Sequence, residues 1–235
     1  MLPVGAVLVD FDGTACAHDV AEHLLDRFGD PGWFAYDEAV DRGEIGLRIA
    51  IQAQDRMLGA DRSTMLAYAR EHCHMDPTFA PFVAWLAEHE TPVALVSDGF
   101  GFYIEDLLAT VGLEDIPVIT NEQRWSAQER PDGLDFVSAH PECIGCGTCK
   151  MRAVLRYREA HGSVAFIGEG QTDRYGALYA DLVFAKDALP AWCERDGVSF
   201  TPWTDFDDVR RALEGDVVVP GPVAPVPCPG WTPPT

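Results

Sequence analysis

The chain has 235 residues, 47% of them hydrophobic, and a formal net charge of −21. This length allows one sizeable core, or a core and a small accessory domain, and the strong negative charge argues against nucleic acids and anionic membranes as partners. No apolar run approaches the ~20 residues that cross a bilayer. Because the start lacks the layout of a secretory signal and the seven cysteines form a poor disulfide framework, we expect a protein of the reducing cytoplasm.

Short apolar segments alternate with helical patterns along most of the chain. Segments rich in Val, Ile and Phe predict buried strands at residues 4–9, 91–97, 116–120, 163–168 and 181–185. The predicted helices are residues 101–111, 149–161, 173–180, 188–195 and 205–214. This alternation predicts an α/β fold with a doubly wound parallel sheet, whose functional groups gather at the carboxyl ends of the strands.

Three stretches depart from the alternation. Residues 15–88 contain no convincing strand and predict a helical insertion large enough to cover a site. Residues 121–146 are irregular, and the turn signal RPDG within them indicates a short hairpin. Residues 216–235 are so rich in proline that they predict an extended tail. The predicted core is therefore formed by residues 1–14 and 89–215.

Two carboxylates follow the first predicted strand in the sequence DFDGT. Asp10 and Asp12 would lie on the same side of the turn, where one can act as a nucleophile and the other as acid and base. Gly13 and Thr14 would supply a tight turn and backbone N–H donors. Oxygen ligands of this kind favour Mg²⁺, although a solvated turn also explains an isolated D-x-D-G.

Three later segments carry further polar groups. In VSDGF, Ser97 and the neighbouring backbone donors could grip a phosphate oxygen, or Ser97 could cap a helix. Lys150 stands near the start of a predicted helix, where it could neutralise a phosphoryl oxygen or lie on the surface. In FIGEGQTD, Glu169 and Asp173 could hold a hydrated Mg²⁺ or cap the next helix.

Taken in chain order, these four segments resemble the motifs of the haloacid dehalogenase superfamily of phosphohydrolases. The resemblance covers nearly the whole chain to about residue 215, with residues 15–88 in the position of a C1-type helical cap. One departure is Glu169, since the fourth motif of that superfamily usually has aspartate in this place.

The resemblance implies a Mg²⁺-dependent phosphomonoesterase that forms an aspartyl phosphate. Asp10 would attack phosphorus, and Asp12 would protonate the leaving group and then activate water. Ser97 and Lys150 would hold the phosphoryl group. The further substrate contacts would be Gly13, Thr14, Asp98, Gly99 and the cap residue Arg48. The Mg²⁺ ligands would be Asp10, the backbone carbonyl of Asp12, and Asp173, with Glu169 nearby.

The cap sequence DRGEIGLRIAIQAQ resembles the phosphoserine phosphatase-like branch, which implies a small phosphate ester as substrate. Arg48 would then face the substrate, or it is a solvated helix residue. The resemblance favours a phosphorylated intermediate of methionine salvage as the substrate, with phosphoserine or another small alcohol phosphate as the alternative. An anionic substrate tail would have to meet one of the cap arginines, which are Arg27, Arg42, Arg48, Arg56, Arg62 and Arg70.

The sequence is also compatible with other functional classes. Glu169 motivates a binding or regulatory module that has kept the fold without turnover. A phosphonatase is disfavoured because its cap would carry a lysine, and residues 15–88 contain none. Whether the chain forms a homodimer also stays open.

A cysteine-rich stretch precedes Lys150. His140, Cys143, Cys146 and Cys149 have the spacing H-x2-C-x2-C-x2-C, which could wrap one tetrahedral Zn²⁺. Four ligands this compact would strain the loop. The alternative is that reduced, partly buried thiols shape the loop that presents Lys150.

Overall fold

One sheet runs through the centre of the computed structural model, which describes residues 2–215 and 219–222. Its strands are β1 (Ala6–Val9), β2 (Val93–Phe100), β3 (Val118–Trp125), β4 (Pro131–Asp135), β5 (Val164–Gly168), β6 (Leu182–Ala185) and β7 (Thr201–Pro202). Their order across the sheet is β4-β3-β2-β1-β5-β6-β7. Among these strands only β4 runs antiparallel to its neighbour.

The central strands are buried on both faces, as expected for a parallel sheet covered by helices. In β1, Val7 and Val9 belong to one hydrophobic cluster, and Ala6 and Leu8 belong to the other. The helices that follow β2 are α6 (Gly101–Thr110), α7 (Lys150–His161), α8 (Arg174–Tyr179), α9 (Leu189–Asp196) and α10 (Phe206–Glu214). The predicted doubly wound fold is therefore confirmed.

The predicted hairpin exists, but its turn does not lie at RPDG. Strands β3 and β4 pair antiparallel, and the turn between them is closed by the Ser126 N–H donating to the Arg130 carbonyl at 2.9 Å. Glu129 adopts the positive φ of 55° that the turn requires. Pro131 instead opens the edge strand β4, a position where a missing N–H is tolerated. Strand β7 was not predicted, because a strand of two residues is too short to show an alternation of apolar and polar residues.

Helices fill the interval between β1 and β2, as the sequence predicts. They are α1 (Val20–Phe28), α2 (Phe34–Asp41), α3 (Leu47–Met57), α4 (Arg62–His72) and α5 (Phe79–Glu88). Asp19 and Asp61 cap α1 and α4 by accepting the backbone N–H of Glu22 and Thr64, both at 2.9 Å. These aspartates fix where the two helices begin.

The last helix of this interval, α5, packs against helix α10, which follows the last strand of the sheet. Phe79 and Phe82 of α5 lie with ring centroids 4.9 and 5.3 Å from that of Phe206 in α10. The division into a cap of residues 15–88 and a core of 1–14 and 89–215 stays a prediction. The aromatic packing is a reason to propose that the cap ends before Phe79.

Two further predictions concern location and the tail. No helix among residues 2–215 and 219–222 combines the length and apolarity needed to span a membrane. The cytoplasmic location stays a prediction. Most of the predicted tail, namely residues 216–218 and 223–235, lies outside the described residues.

Candidate active site

Asp10 is buried at the carboxyl end of β1. Its backbone N–H donates to the Ile167 carbonyl at 2.9 Å, and the Thr14 hydroxyl donates to its Oδ2 at 3.2 Å. Burial and the charge of Asp173 raise the pKa of Asp10 well above its usual value, and Lys150 opposes this shift. A further cation beside the carboxylate would favour its charged form.

Lys150 is the first residue of helix α7, and its side chain contacts Asp10. Its Nζ donates to Oδ1 of Asp10 at 2.6 Å, to Oδ1 of Asp173 at 2.6 Å and to Oγ1 of Thr172 at 3.3 Å. Its side chain is only 2% exposed. Burial alone would lower the pKa of Lys150, but the charges of three surrounding aspartates raise it well above the usual value. The ammonium group therefore stays charged.

Asp12 is held by three hydrogen-bond donors. The Val20 N–H donates to its Oδ1 at 3.0 Å, while the hydroxyls of Ser97 and Tyr103 donate to its Oδ2 at 3.3 and 3.2 Å. Burial and then the charge of Asp19 raise the pKa of Asp12 from 3.8 to about 8. A carboxyl group with this pKa carries a proton at neutral pH, so Asp12 is suited to general acid catalysis.

The end of β2 brings a serine and an aspartate to the same place. The Gly99 N–H donates to Ser97 Oγ at 2.9 Å, and Asp98 Oδ2 lies 4.0 Å from Lys150 Nζ. A Cβ atom on Gly99 would lie 2.0 Å from the Tyr103 hydroxyl, so the close approach requires glycine. This fit explains why the small residue follows Asp98.

Asp10, Glu169 and Asp173 form a candidate metal centre. One carboxylate oxygen from each lies within 4.8 Å of the other two. The N–H groups of Glu169 and Gly170 donate to Asp173 Oδ2 at 2.9 and 3.0 Å, which fixes that carboxylate. Burial and the charge of Asp173 raise the pKa of Glu169 to about 7. Oxygen-only ligands with excess negative charge fit a hard divalent cation such as Mg²⁺.

Two curated relatives cover most of the chain. The bifunctional enzyme MtnB/MtnX of Bacillus licheniformis is 29% identical over 214 residues, which are 88% of this chain and 49% of the relative. A 2-hydroxy-3-keto-5-methylthiopentenyl-1-phosphate phosphatase of Brevibacillus brevis is 28% identical over 210 residues, which are 87% of this chain and 93% of the relative. The chain therefore spans about half of the first relative and most of the second. No family model matches the chain.

A solved structure agrees in fold. A phospho-aspartyl intermediate analogue of phosphoserine phosphatase superposes with a TM-score of 0.69 at 14% identity, over 90% of this chain and 98% of that one. In sequence and in fold, the chain is similar to phosphatases of the haloacid dehalogenase type. The resemblance inferred from the four motifs is therefore confirmed, and so is the prediction of an enzyme.

In this phosphatase, Gly13 and Thr14 face protein groups. The Gly13 N–H donates to the His18 carbonyl at 3.2 Å, and the fully buried Thr14 contacts Asp10. Gly13 has a φ of 68°, and a Cβ atom there would lie 3.2 Å from the Glu169 side chain. These contacts shape the turn and hold Asp10, and the substrate contacts predicted for the two residues stay predictions.

Arg48 also lies away from the predicted contact. Its guanidinium donates to the carbonyls of Cys146 at 3.2 Å and His140 at 3.1 Å, and it lies over the Phe136 ring at 5.3 Å. Helix α3 turns this side chain toward the cysteine-rich loop and away from the phosphatase cavity. These contacts favour a role of Arg48 in supporting the loop, and its predicted contact with the substrate stays a prediction.

The cysteine-rich loop lacks the geometry predicted for zinc. A zinc site would need His, Cys, Asp or Glu side chains whose ligand atoms lie close together. Within residues 2–215 and 219–222, only Asp10, Glu169 and Asp173 form a group of three or more with ligand atoms within 4.8 Å of one another. The Cys143 sulfur accepts the Gly145 N–H at 3.3 Å, and His140 Nδ1 accepts the Glu142 N–H at 3.2 Å. Cys149 lies buried at the start of α7. The four residues His140, Cys143, Cys146 and Cys149 therefore do not form a compact set of zinc ligands.

A cavity of about 210 Å³ opens beside the acidic site. Several of its lining residues are apolar, and we call them the apolar wall: Leu24, Leu25, Trp33, Leu47, Ile51 and Leu58. Besides the acidic site, the polar lining residues include Asp19, Glu22, Asp37, Gln54 and Asp55. Of the described residues that line this cavity, Lys150 is the only cation, so none of the cap arginines takes part.

Sequence reasoning missed several groups in this site. Tyr103 holds Asp12, Thr172 contacts Lys150, and Asn121 Nδ2 donates to the Asp98 carbonyl at 3.0 Å. Thr172 stands inside the GEGQTD motif, which could have suggested it. Tyr103 and Asn121 carry no local signal, because their roles depend on how β2, β3 and α6 pack.

Proposed function

We propose that this phosphatase hydrolyses 2-hydroxy-3-keto-5-methylthiopentenyl-1-phosphate. The observation that carries the proposal is a phosphate-type site beside a cavity with an apolar wall and no arginine among its described lining residues. The names of the relatives from Brevibacillus brevis and Exiguobacterium sibiricum support the same substrate.

The chemistry follows from the positions of the two aspartates. The Asp10 carboxylate attacks phosphorus and forms an aspartyl phosphate, while the protonated Asp12 gives its proton to the departing oxygen. Asp12 then takes a proton from the water that cleaves the acyl phosphate. Lys150 and Ser97 hold the phosphoryl oxygens, so positioning and charge compensation supply most of the catalysis.

Asp10, Glu169 and Asp173 would hold a Mg²⁺ ion. When bound, the ion offsets negative charge on the phosphoryl oxygens and on these carboxylates. Asp173 is fixed for this task by two backbone N–H groups. The backbone carbonyl of Asp12 remains a proposed fourth ligand.

The leaving group should carry an apolar tail and no negative charge. The methylthio end of the proposed substrate matches the leucine-rich wall, and each CH₂ group buried there would contribute about 0.8 kcal/mol. Phosphoserine brings a carboxylate, which would meet acidic residues such as Asp37 and Glu22 in place of a cation. The apolar wall therefore favours the methylthiopentenyl ester over phosphoserine.

A second candidate is a small alcohol phosphate with an ammonium group, for which the acidic residues Asp19, Glu22 and Asp37 are the supporting observation. The experiment is to compare kcat/KM of the purified enzyme with Mg²⁺ for the methylthiopentenyl phosphate, phosphoserine and phosphoethanolamine. We expect the highest value for the first ester. A clear preference for phosphoserine or phosphoethanolamine would reject the substrate while retaining the phosphatase.

A matched pair of variants tests the cavity wall. Ile51→Asp should lower kcat/KM for the methylthiopentenyl ester by roughly 10- to 100-fold, because the charge faces an apolar tail. The same change placed at Ile49, an exposed residue of the same helix, should leave the value unchanged. Equal losses in both variants would contradict the assignment of this wall to the leaving group.

A further inference from the structure

A second cavity of about 200 Å³ adjoins the active site. The two cavities share Leu47, Gln171 and Thr172. Cys143 and Cys146 line the second cavity and are both half-buried. Thr172 also contacts the Lys150 ammonium at 3.3 Å, so the cysteines lie close to the catalytic apparatus without belonging to it.

The other thiols of the described chain are differently placed. Cys16, Cys73, Cys149 and Cys193 are buried, and burial raises the pKa of the Cys16, Cys73 and Cys193 thiols to about 12, 11 and 11 respectively. A protonated, buried thiol is inert toward oxidants. Cys143 and Cys146 therefore stand out as an accessible cysteine pair, and the Cys-x-x-Cys spacing is one that disulfide chemistry uses.

The loop that carries the pair connects the cap helix α3 to Lys150. The Leu47 N–H donates to the Gly145 carbonyl at 3.0 Å, and Arg48 donates to the Cys146 carbonyl at 3.2 Å. Further along, the Thr148 N–H donates to Asp98 Oδ1 at 2.7 Å, two residues before Lys150. A movement of residues 143–146 would therefore disturb both the cap contact and the placement of the lysine.

We propose that Cys143 and Cys146 form a thiol modification site that a low-molecular-weight disulfide oxidises, with loss of phosphatase activity. One thiolate attacks the small disulfide, forms a mixed disulfide and releases one small thiol. The second cysteine thiolate attacks the mixed disulfide, closes the Cys143–Cys146 bond and releases the second small thiol. Two protein thiols are oxidised, one small disulfide is reduced, and the protons pass to solvent or to the released thiolates.

Closure of the bond requires the two Cα atoms to lie within about 7 Å, which a bend at Gly145 favours. The carbonyls of Gly145 and Cys146 then move relative to α3. A shift of about 1 Å in a group that positions a catalytic residue can lower turnover up to roughly 100-fold. The proposal rests on the phosphatase activity of the site and is independent of which leaving group it prefers.

The experiment treats the full chain with glutathione disulfide, removes the excess, and measures hydrolysis of p-nitrophenyl phosphate with Mg²⁺. Peptide mass mapping without reduction locates any disulfide. We expect a Cys143–Cys146 bond, a fall in kcat of roughly 10- to 100-fold, and recovery with dithiothreitol. Cys143→Ser and Cys146→Ser should each abolish the Cys143–Cys146 bond, and the variant that keeps the attacking thiol should stop at the mixed disulfide. The double variant Cys143→Ser/Cys146→Ser should resist inhibition, whereas the matched control Cys193→Ser should remain sensitive.

Three results would overturn the proposal: no bond between the pair, pairing of either cysteine with a different one, or a mapped Cys143–Cys146 bond with unchanged kcat. Untreated, reduced enzyme serves as the separate test of the proposed function. If that sample lacks Mg²⁺-dependent hydrolysis, the proposed phosphatase mechanism fails, while the disulfide map still decides whether the pair is a modification site.

Discussion

The Lys150 ammonium donates a 2.6 Å hydrogen bond to the Asp10 carboxylate, although the two residues are 140 positions apart in the chain. The contact joins the end of β1 to the start of α7, and both side chains are buried. Each charge is tolerated there because the other is present. The same pairing leaves the lysine poised to meet the oxygens of a phosphoryl group bound beside Asp10.

Replacing the lysine should damage stability and activity together. Lys150→Met leaves the Asp10 and Asp173 carboxylates facing each other, which should cost about 3–5 kcal/mol of unfolding free energy. It should also lower kcat at least 100-fold or so, because the phosphoryl oxygens lose their ammonium partner. Chemical denaturation and p-nitrophenyl phosphate turnover measure the two effects. Lys186→Met, the same change at a half-buried lysine outside the cavity, should leave turnover unchanged and cost only about 1 kcal/mol, through loss of the contact with the Trp203 ring.

Tyr103 should act on the reaction through Asp12. Its hydroxyl bond favours the charged form of Asp12, so Tyr103→Phe should raise the pKa of that carboxyl further. We expect kcat to fall roughly tenfold and the alkaline limb of the pH–rate profile to move to higher pH. Tyr157→Phe, on the outer part of α7, is the matched control. An alkaline limb that stays in place would contradict the role given to Tyr103.

The metal-free enzyme should lose stability as the pH rises. The pKa of Asp12 is raised from 3.8 to about 8 and that of Glu169 from 4.5 to about 7, so between about pH 4.5 and 7 the folded state holds protons that the unfolded chain has released. Stability gained from these protons is complete below the unfolded pKa values and is lost as the pH passes through the folded ones. The effect of each group is on the order of 1 kcal/mol per pH unit.

Thermal unfolding in EDTA between pH 5 and 8 measures this slope. Asp12→Asn should flatten it, since the amide can still accept the Val20 N–H but does not titrate. Added Mg²⁺ should raise the Tm more at pH 8 than at pH 5, because protons compete with the ion for the carboxylates. An Asp12→Asn slope equal to that of the wild type would show that another group is responsible.

Arg48 should support the loop before Lys150. Arg48→Ala removes two hydrogen bonds to the loop carbonyls of His140 and Cys146, which should cost about 1–3 kcal/mol and lower kcat more than it raises KM. Steady-state kinetics and denaturation measure these effects. Arg42→Ala, which removes an exposed arginine paired with Glu44, should behave like the wild type. A rise in KM with unchanged kcat would instead indicate direct substrate contact.

Much of the site could be predicted because neighbouring parallel strands end at one edge of the sheet. Asp10 follows β1, Ser97 lies near the end of β2, and Glu169 follows β5, and these three strands are adjacent in the sheet. Sequence order and strand pattern were enough to bring them together. The same reasoning placed Lys150 at the start of a helix.

The features that could not be predicted from the sequence depend on the rotation of helices and on local turns. Arg48 lies on α3, whose orientation is set by packing against the hairpin and the loop, and sequence alone does not give that angle. The cysteine spacing suited a tetrahedral ion, yet the start of α7 at Lys150 draws Cys149 into the interior. The role of Tyr103 could not be predicted from local sequence, because its partner Asp12 lies 91 residues earlier in the chain.

The nucleophilic role of Asp10 is tested most directly by trapping the phosphorylated enzyme. The enzyme is mixed with Mg²⁺ and substrate, quenched within one turnover and reduced with borohydride, which converts an aspartyl phosphate to homoserine. Peptide mass mapping should find homoserine at position 10, and neither Asp10→Asn nor substrate-free enzyme should give it. Full turnover by Asp10→Asn, or homoserine at another aspartate, would contradict the account.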